Sequence, residues 1–182
     1  MITLAGTNTM ELHTHVRPMQ KADLDQVLAI EQSSFSTPWT ISAYKYELNE
    51  NKHSTLWVAE VESMSGKSQV VGMIVLWLIL DEAHIATIAV HPDYRRLGIA
   101  RCLLLTALKE AIHKGASEAT LEVRAGNHAA QELYLSLHFQ VVGHRHRYYH
   151  DTKEDGIIMT VKFQENEHFS RLDIEQPITV EQ

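Results

Sequence analysis

The sequence predicts a single α/β domain in three layers, with a mixed central sheet flanked by helices. Short apolar runs alternate with segments whose apolar residues recur at helical spacing, in the order β-α-α-β-β-β-α-β-α-β-β. One helix-period segment stands between two strand-like runs at 84–90 and 119–124, the pattern of a crossover between middle strands. At 182 residues, 45% hydrophobic and 21% charged, the chain has the length and composition of one globular domain with a sizeable core.

Residues 1–10 are polar and read as a flexible segment ahead of a domain spanning 11–163. "LHTHVRP", 12–18, alternates and reads as a strand closed by Pro18. "ADLDQVLAIEQSSF", 22–35, carries Leu24, Val27, Leu28 and Ile30 near helical spacing, with Asp23 as N-cap. "STPWT" interrupts it. A second helix over 41–48 then places Ile41, Tyr44 and Leu48 on one face, capped by Thr40. "TLWVAEVE", 55–62, is a strand, 63–68 a hairpin-like turn, and 69–80 a long strand. "HIATIAV", 84–90, is apolar almost throughout, as central strands are. Over 98–114, Cys102, Leu105, Leu108 and Ile112 mark a helix closed by Lys114 and Gly115. A strand at 119–124, a short helix at 128–137 and strands at 141–149 and 156–163 complete the domain.

Composition narrows the function. No apolar run approaches the roughly 20 residues that span a bilayer, so no membrane association is expected. The N-terminus has neither the basic start nor the apolar core of a signal peptide. The single cysteine, Cys102, excludes an internal disulfide and fits a reducing compartment, so a cytoplasmic protein is expected. Sixteen Lys and Arg against 23 Asp and Glu leave a net charge of −7, which argues against nucleic-acid binding. Residues 164–182 form an acidic tail with five acids against one base, Arg171. Twelve histidines include the pairs His13/His15 and His144/His146, with His84 and His91 near the candidate site, but no compact ligand set emerges and no metal is expected.

The informative stretch is "VHPDYRRLGIARCLL", 90–104. Pro92 stops a strand, and Arg95, Arg96 and Gly98 lead into a helix whose free N–H groups and dipole favour an anion. Gly98 admits a ligand close to the backbone, Ala100 is nearly as small, and Arg101 adds a third cation. An ordinary strand-to-helix turn with solvated arginines has the same spacing. In "TLEVR", alternation puts Glu122 and Arg124 on the face opposite Leu121 and Val123. Such a carboxylate is paired with Arg124 or another base, or lines a cleft. Tyr134 lies at helical spacing with neighbouring leucines, and Asn127 stands where a helix N-cap is needed.

"RRLGIA" after "IAVHPDY" resembles the [QR]-x-x-G-x-[GA] acetyl-CoA signature of the GNAT acetyltransferases. "LEVRAGNHAAQELYLSLHF", "RYY" and "EDGIIM", together with "IEQSSFSTPWT", resemble more narrowly the RimI-type ribosomal-protein-alanine N-acetyltransferases, over roughly residues 12–163. The sequence departs from the pattern at Ala100, where the family tolerates alanine for glycine. It departs again at His138, which replaces a glycine expected to sit at a helix C-cap near positive φ. The resemblance implies a GNAT fold and acetyl transfer from acetyl-CoA to the N-terminal amine of a protein, the alanine of a ribosomal protein. It implies Glu122 as general base and Tyr134 as general acid toward the leaving thiolate. Ile88, Ala89 and Val90, on a strand that splays from its neighbour, would contact the cofactor, as would Arg95, Arg96, Leu97, Gly98, Ile99, Ala100, Arg101, Asn127 and Tyr134. Phe35, Pro38, Trp39, Arg145, Tyr148 and Tyr149 would wall the acceptor cleft. A small-molecule amine acceptor and a non-catalytic acetyl-CoA-binding module remain the alternatives.

Overall fold

The computed structural model describes residues 14–62, 68–164 and 169. The expected N-terminal segment 1–10, the turn at 63–67 and the acidic tail beyond Gln164, save Phe169, lie outside the described residues. The elements are β1 (Thr14–Pro18), α1 (Leu24–Ser34), α2 (Ile41–Asn49), β2 (Ser54–Glu62), β3 (Ser68–Ile79), β4 (Glu82–Val90), α3 (Ile99–His113), β5 (Glu118–Arg124), α4 (His128–Ser136), β6 (Gln140–Tyr149) and β7 (Glu154–Lys162). Their order is the expected one. They form one seven-stranded sheet, β1-β2-β3-β4-β5-β7-β6, antiparallel except where β4 runs parallel to β5 across the α3 crossover.

Strand β3 is apolar along its length because both faces are covered. On one side Val70, Met73 and Val75 meet Val27, Ile30 and Tyr44 of α1 and α2. On the other, Val71, Ile74 and Leu76 meet Leu103, Leu104 and Leu108 of α3. Gly72 allows this approach: a Cβ there would sit 3.0 Å from Leu103 Cδ1 and 3.2 Å from Ile99 Cγ2. The first turn of α3 is thereby drawn onto the sheet. Helix α1 packs over β3 and β4 and α2 over β2, so the Glu122 face of β5 lies at the margin of that layer.

Two local expectations also change. Asp23 ends a 3₁₀ turn, Lys21–Asp23, and its side chain does not cap α1. Its carboxylate accepts instead from the Gln20 amide at 2.7 Å and from both terminal nitrogens of Arg17 at 2.8 and 2.9 Å, tying β1 to α1. The long strand ends at Ile79 rather than Leu80, and a tight hairpin places Leu80, at φ 57 and 91% exposed, in the turn. The caps of α2 and α3 are as expected: Thr40 Oγ1 accepts from the Ala43 amide at 3.2 Å, and Gly115 follows α3 at φ 99. His138 sits at φ 64, the left-handed position where a glycine was expected.

Candidate active site

Strands β4 and β5 are paired only from Glu82/Glu118 to Ile85/Leu121. A register shift follows at once in the β3–β4 ladder, where Thr87 pairs with Val75 and Ile85 with Leu76, leaving Ala86 as the extra residue. A bulge bends and twists the strand that carries it. Beyond it, Ile88, Ala89 and Val90 stay paired to β3 on one edge, while the ladder to β5 has ended on the other. The sheet opens into a V whose second arm carries Glu122 and Arg124.

At the wide end of the V the chain passes through a 3₁₀ turn, Pro92–Tyr94, into Arg95, Arg96, Leu97 and Gly98. Arg96 at φ 66 and Gly98 at φ 78 both occupy the left-handed region, and Gly98 is the N-cap of α3. No side chain caps this helix and its first turn holds no acid, so the first-turn N–H groups from Ile99 to Arg101 remain for an incoming anion. The arginines divide their roles. Arg95 donates to the Val90 carbonyl at 3.0 Å and to Ser34 Oγ at 3.2 Å, and Arg101 donates to Ser136 Oγ at 3.0 Å. Two of the three guanidiniums expected to face an anion are thus engaged in holding the loop, α1 and α4 in place. Arg96 is exposed.

Glu122 is not paired with Arg124, although alternation puts both on one face. Its side chain, 12% exposed, meets Arg145 Nη2 at 3.0 Å through one oxygen and His84 Nε2 at 3.4 Å through the other. The His84 ring stacks on Trp77 at 5.6 Å, and Trp77 stacks on Trp39 at 6.3 Å. Trp39 is itself fixed through its amide, which donates to the buried Glu31 at 3.2 Å. Burial pushes the Glu31 carboxyl up from its ordinary value.

Arg124 reaches elsewhere. Its terminal nitrogens bond both oxygens of Asp151, at 3.1 and 2.8 Å, and Thr152 Oγ1 at 2.9 Å, and its guanidinium lies 3.9 Å over the Tyr149 ring. It also donates to Ser36 Oγ at 3.4 Å, and Ser36 in turn bonds Asp151. One side chain therefore ties the α1–α2 segment, which carries Phe35, Pro38 and Trp39, to the β6–β7 loop. Arg145 lies over the Tyr148 ring at 5.1 Å, and Tyr148 packs edge-on against Tyr149 at 5.1 Å. Gly156 gives Tyr148 its space, since a Cβ there would stand 3.0 Å from the ring.

Tyr134 is buried in α4 with its ring 5.8 Å from Phe139. Burial, with Tyr149 nearby, pushes its phenol well above the ordinary value, so the proton stays on oxygen across the working range. Burial likewise pushes Tyr149 up to about 12. Asn127 Oδ1 accepts from the Ala130 amide at 3.2 Å, which makes it the N-cap of α4. Cys102 is buried and its thiol pushed up by desolvation, which does not suit a nucleophile. Among the described residues no group of three His, Cys, Asp or Glu could hold a metal ion, and no helix is long and apolar enough to cross a membrane.

Residues 24–139 match the model of the Acetyltransferase (GNAT) family. The chain belongs to that family. It is an acetyl-CoA-dependent N-acetyltransferase. The chain is 36% identical to a Bacillus subtilis (strain 168) protein provisionally named a [ribosomal protein bS18]-alanine N-acetyltransferase, over 86% of this chain and 100% of that one. It is 32% identical to the [ribosomal protein bS18]-alanine N-acetyltransferase of Escherichia coli (strain K12), over 80% and 95%. The crystal structure of the Escherichia coli ribosomal-protein-S18-alanine N-acetyltransferase superposes with a TM-score of 0.71 at 31% identity, covering 82% of this chain and 93% of the other.

The site contains residues that sequence reasoning missed. Ser36, Asp151, Thr152 and Glu154 meet at Arg124 from segments far apart in the chain, and nothing in local spacing marks them. His84 was noticed only for metal. Its signal was the alternation of β4, which puts His84 two residues from Glu82 and Ala86 on one face, beside the strand carrying Glu122.

Proposed function

We propose that this GNAT enzyme transfers the acetyl group of acetyl-CoA to the N-terminal α-amine of a protein, with the N-terminal alanine of a ribosomal protein as acceptor. The observation that carries the reading is the placement of Glu122. It stands one residue past the point where the β4–β5 ladder ends, on the strand whose Arg124 joins the aromatic segments. The relatives' names support the acceptor class.

The backbone of Ile88, Ala89 and Val90 bonds the pantetheine amides as an added strand would and turns N–H groups toward the thioester oxygen. Amides from Ile99 to Arg101 at the α3 start, with Arg96, hold the pyrophosphate. The acceptor chain enters between Phe35, Trp39, Tyr148 and Tyr149, with Arg145 at the mouth. Glu122 takes one proton from the acceptor ammonium, the freed amine attacks the thioester carbon, and the nitrogen gives up a second proton as the carbon–sulfur bond breaks, leaving the amide and, with that proton on sulfur, the thiol. Tyr134 donates to the sulfur as the carbon–sulfur bond breaks. Its desolvated phenol is a weaker acid than an ordinary thiol of pKa about 8.5, so it acts first as a hydrogen-bond donor to the developing thiolate. Asn127 fixes the start of α4 and with it the position of Tyr134.

The reading is tested by thiol release from acetyl-CoA with short peptides beginning in Ala, Ser or Met, an N-terminally blocked peptide bearing Lys, and a polyamine. Turnover on Ala-initiated peptides with none on the blocked peptide is expected. Preference for the polyamine or for the lysine side chain overturns it.

A further inference from the structure

We infer that His84 is a positioning residue that acts through Glu122, receiving and storing the proton the acceptor amine gives up. The inference rests on the reading of Glu122 as the base and adds where the proton goes next.

The geometry is asymmetric about the Glu122 carboxylate. Arg145 occupies one oxygen at 3.0 Å, and His84 Nε2 faces the other at 3.4 Å. Stacking on Trp77 holds the imidazole in that pose, and Trp77 is anchored by its own indole N–H, which donates to Glu47 at 2.9 Å. His84 also lines an open groove of about 360 Å³ with Trp77, Ile79, Leu80, Asp81 and Glu82. The imidazole therefore meets the carboxylate and also borders an open groove.

The chemistry calls for such a group. An N-terminal amine has a reference pKa of about 7.7–8.0, a glutamic acid about 4.3 and an imidazole about 6.5. A proton parked on a carboxylate at neutral pH returns to the amine more readily than it stays. An imidazole beside it is a far better store and sits close to the working pH. The steps balance. An N–H bond of the ammonium breaks and an O–H bond forms on Glu122; that O–H breaks and an N–H forms at His84 Nε2. The imidazolium is left beside the restored carboxylate, and its proton leaves by way of the groove. The charged groups around the imidazole are Glu122 on β5, Glu82 on the same face of β4, Asp81 in the β3–β4 turn, Glu47 of α2 behind Trp77, and Arg145 of β6 beyond Glu122.

The test compares wild type with His84→Phe, which keeps a ring against Trp77, and His84→Ala with and without added imidazole, using an Ala-initiated peptide and melting curves for each protein. The ratio of wild-type to His84→Phe turnover is expected to reach at least about tenfold between roughly pH 6.5 and 8. It should fall at higher pH, where free amine needs no help. Imidazole should restore part of the His84→Ala turnover. A folded His84→Phe enzyme with a pH-independent ratio overturns the inference while the function stands. A wild type that acetylates no N-terminal peptide overturns the function and this inference with it.

Discussion

The Arg124 guanidinium lies 3.9 Å over the ring of Tyr149 and bonds both carboxylate oxygens of Asp151, so one side chain holds the β6–β7 loop by stacking and by charge. It holds Asp151 well below the usual carboxylate range, so this contact does not titrate near neutral pH. Through Ser36 the same group fixes the α1–α2 segment. Arg124→Ala should therefore loosen both walls of the acceptor cleft. A loss on the order of tenfold to a hundredfold in kcat/KM for the peptide is expected, with acetyl-CoA affinity unchanged. Steady-state kinetics varying each substrate in turn distinguish this from a general loss of structure, which would move both.

At the other end of the V, Gly98 caps α3 at φ 78 with no side chain in the way. Gly98→Glu should abolish acetyl-CoA binding by bulk and like charge at the pyrophosphate seat. Gly98→Ala, which meets only the left-handed backbone cost of roughly 1–2 kcal/mol, should bind more weakly and still fold. Calorimetric titration reads both. Unchanged affinity in folded Gly98→Glu would remove the phosphate from this helix start.

Tyr134 makes the sharpest single-atom test. Tyr134→Phe keeps the ring against Phe139 and removes only the hydroxyl. Acetyl-CoA affinity should be retained, while kcat falls on the order of 100- to 10,000-fold. A variant with wild-type turnover would show that the hydroxyl is structural.

Much of this was legible in the sequence, and the reason is physical. Helix α3 could be read because Cys102, Leu105, Leu108 and Ile112 keep a helical period and Gly98 and Gly115 punctuate its ends. The family signature lies in one short stretch of backbone, so its residues stay adjacent in the fold. What could not be read was long-range pairing. Alternation put Glu122 and Arg124 on one face and invited pairing between them, yet Glu122 turned to Arg145 and His84, and Arg124 to Asp151. The β3–β4 turn was hidden because Leu80 continues an apolar run where hairpins usually show Asn or Gly. Asp23 has the residue type of an N-cap, but Arg17, six residues earlier, claims its carboxylate.

That last pair predicts a pH dependence of stability. The Asp23 carboxylate is buried, and although desolvation acts to raise it, its bonds to Arg17 and the Gln20 amide win and lower its pKa below the ordinary value. A carboxyl lowered on folding contributes stability that is present above the unfolded pKa of about 3.9 and is lost as pH falls through the folded value. Arg17→Ala weakens this contribution, because burial is then opposed by the Gln20 amide alone. The variant should lose about 2 kcal/mol at neutral pH, by the usual worth of hydrogen bonds to a charged group, and less below about pH 4. Urea melts at pH 7 and pH 3.5 measure both.

The central claim is that Glu122 receives the acceptor's proton, and the pH profile of Glu122→Gln tests it most directly. Near neutral pH most of an N-terminal amine of pKa about 7.7–8.0 is protonated and must lose a proton before it can attack. The wild-type to Glu122→Gln ratio of kcat/KM should therefore be largest near pH 7 and shrink as pH rises toward 9.5 and free amine appears. If Glu122 only braces Arg145 and His84, the variant will melt at lower temperature and the ratio will stay flat from pH 6.5 to 9.5. A flat ratio in a destabilised protein contradicts the account.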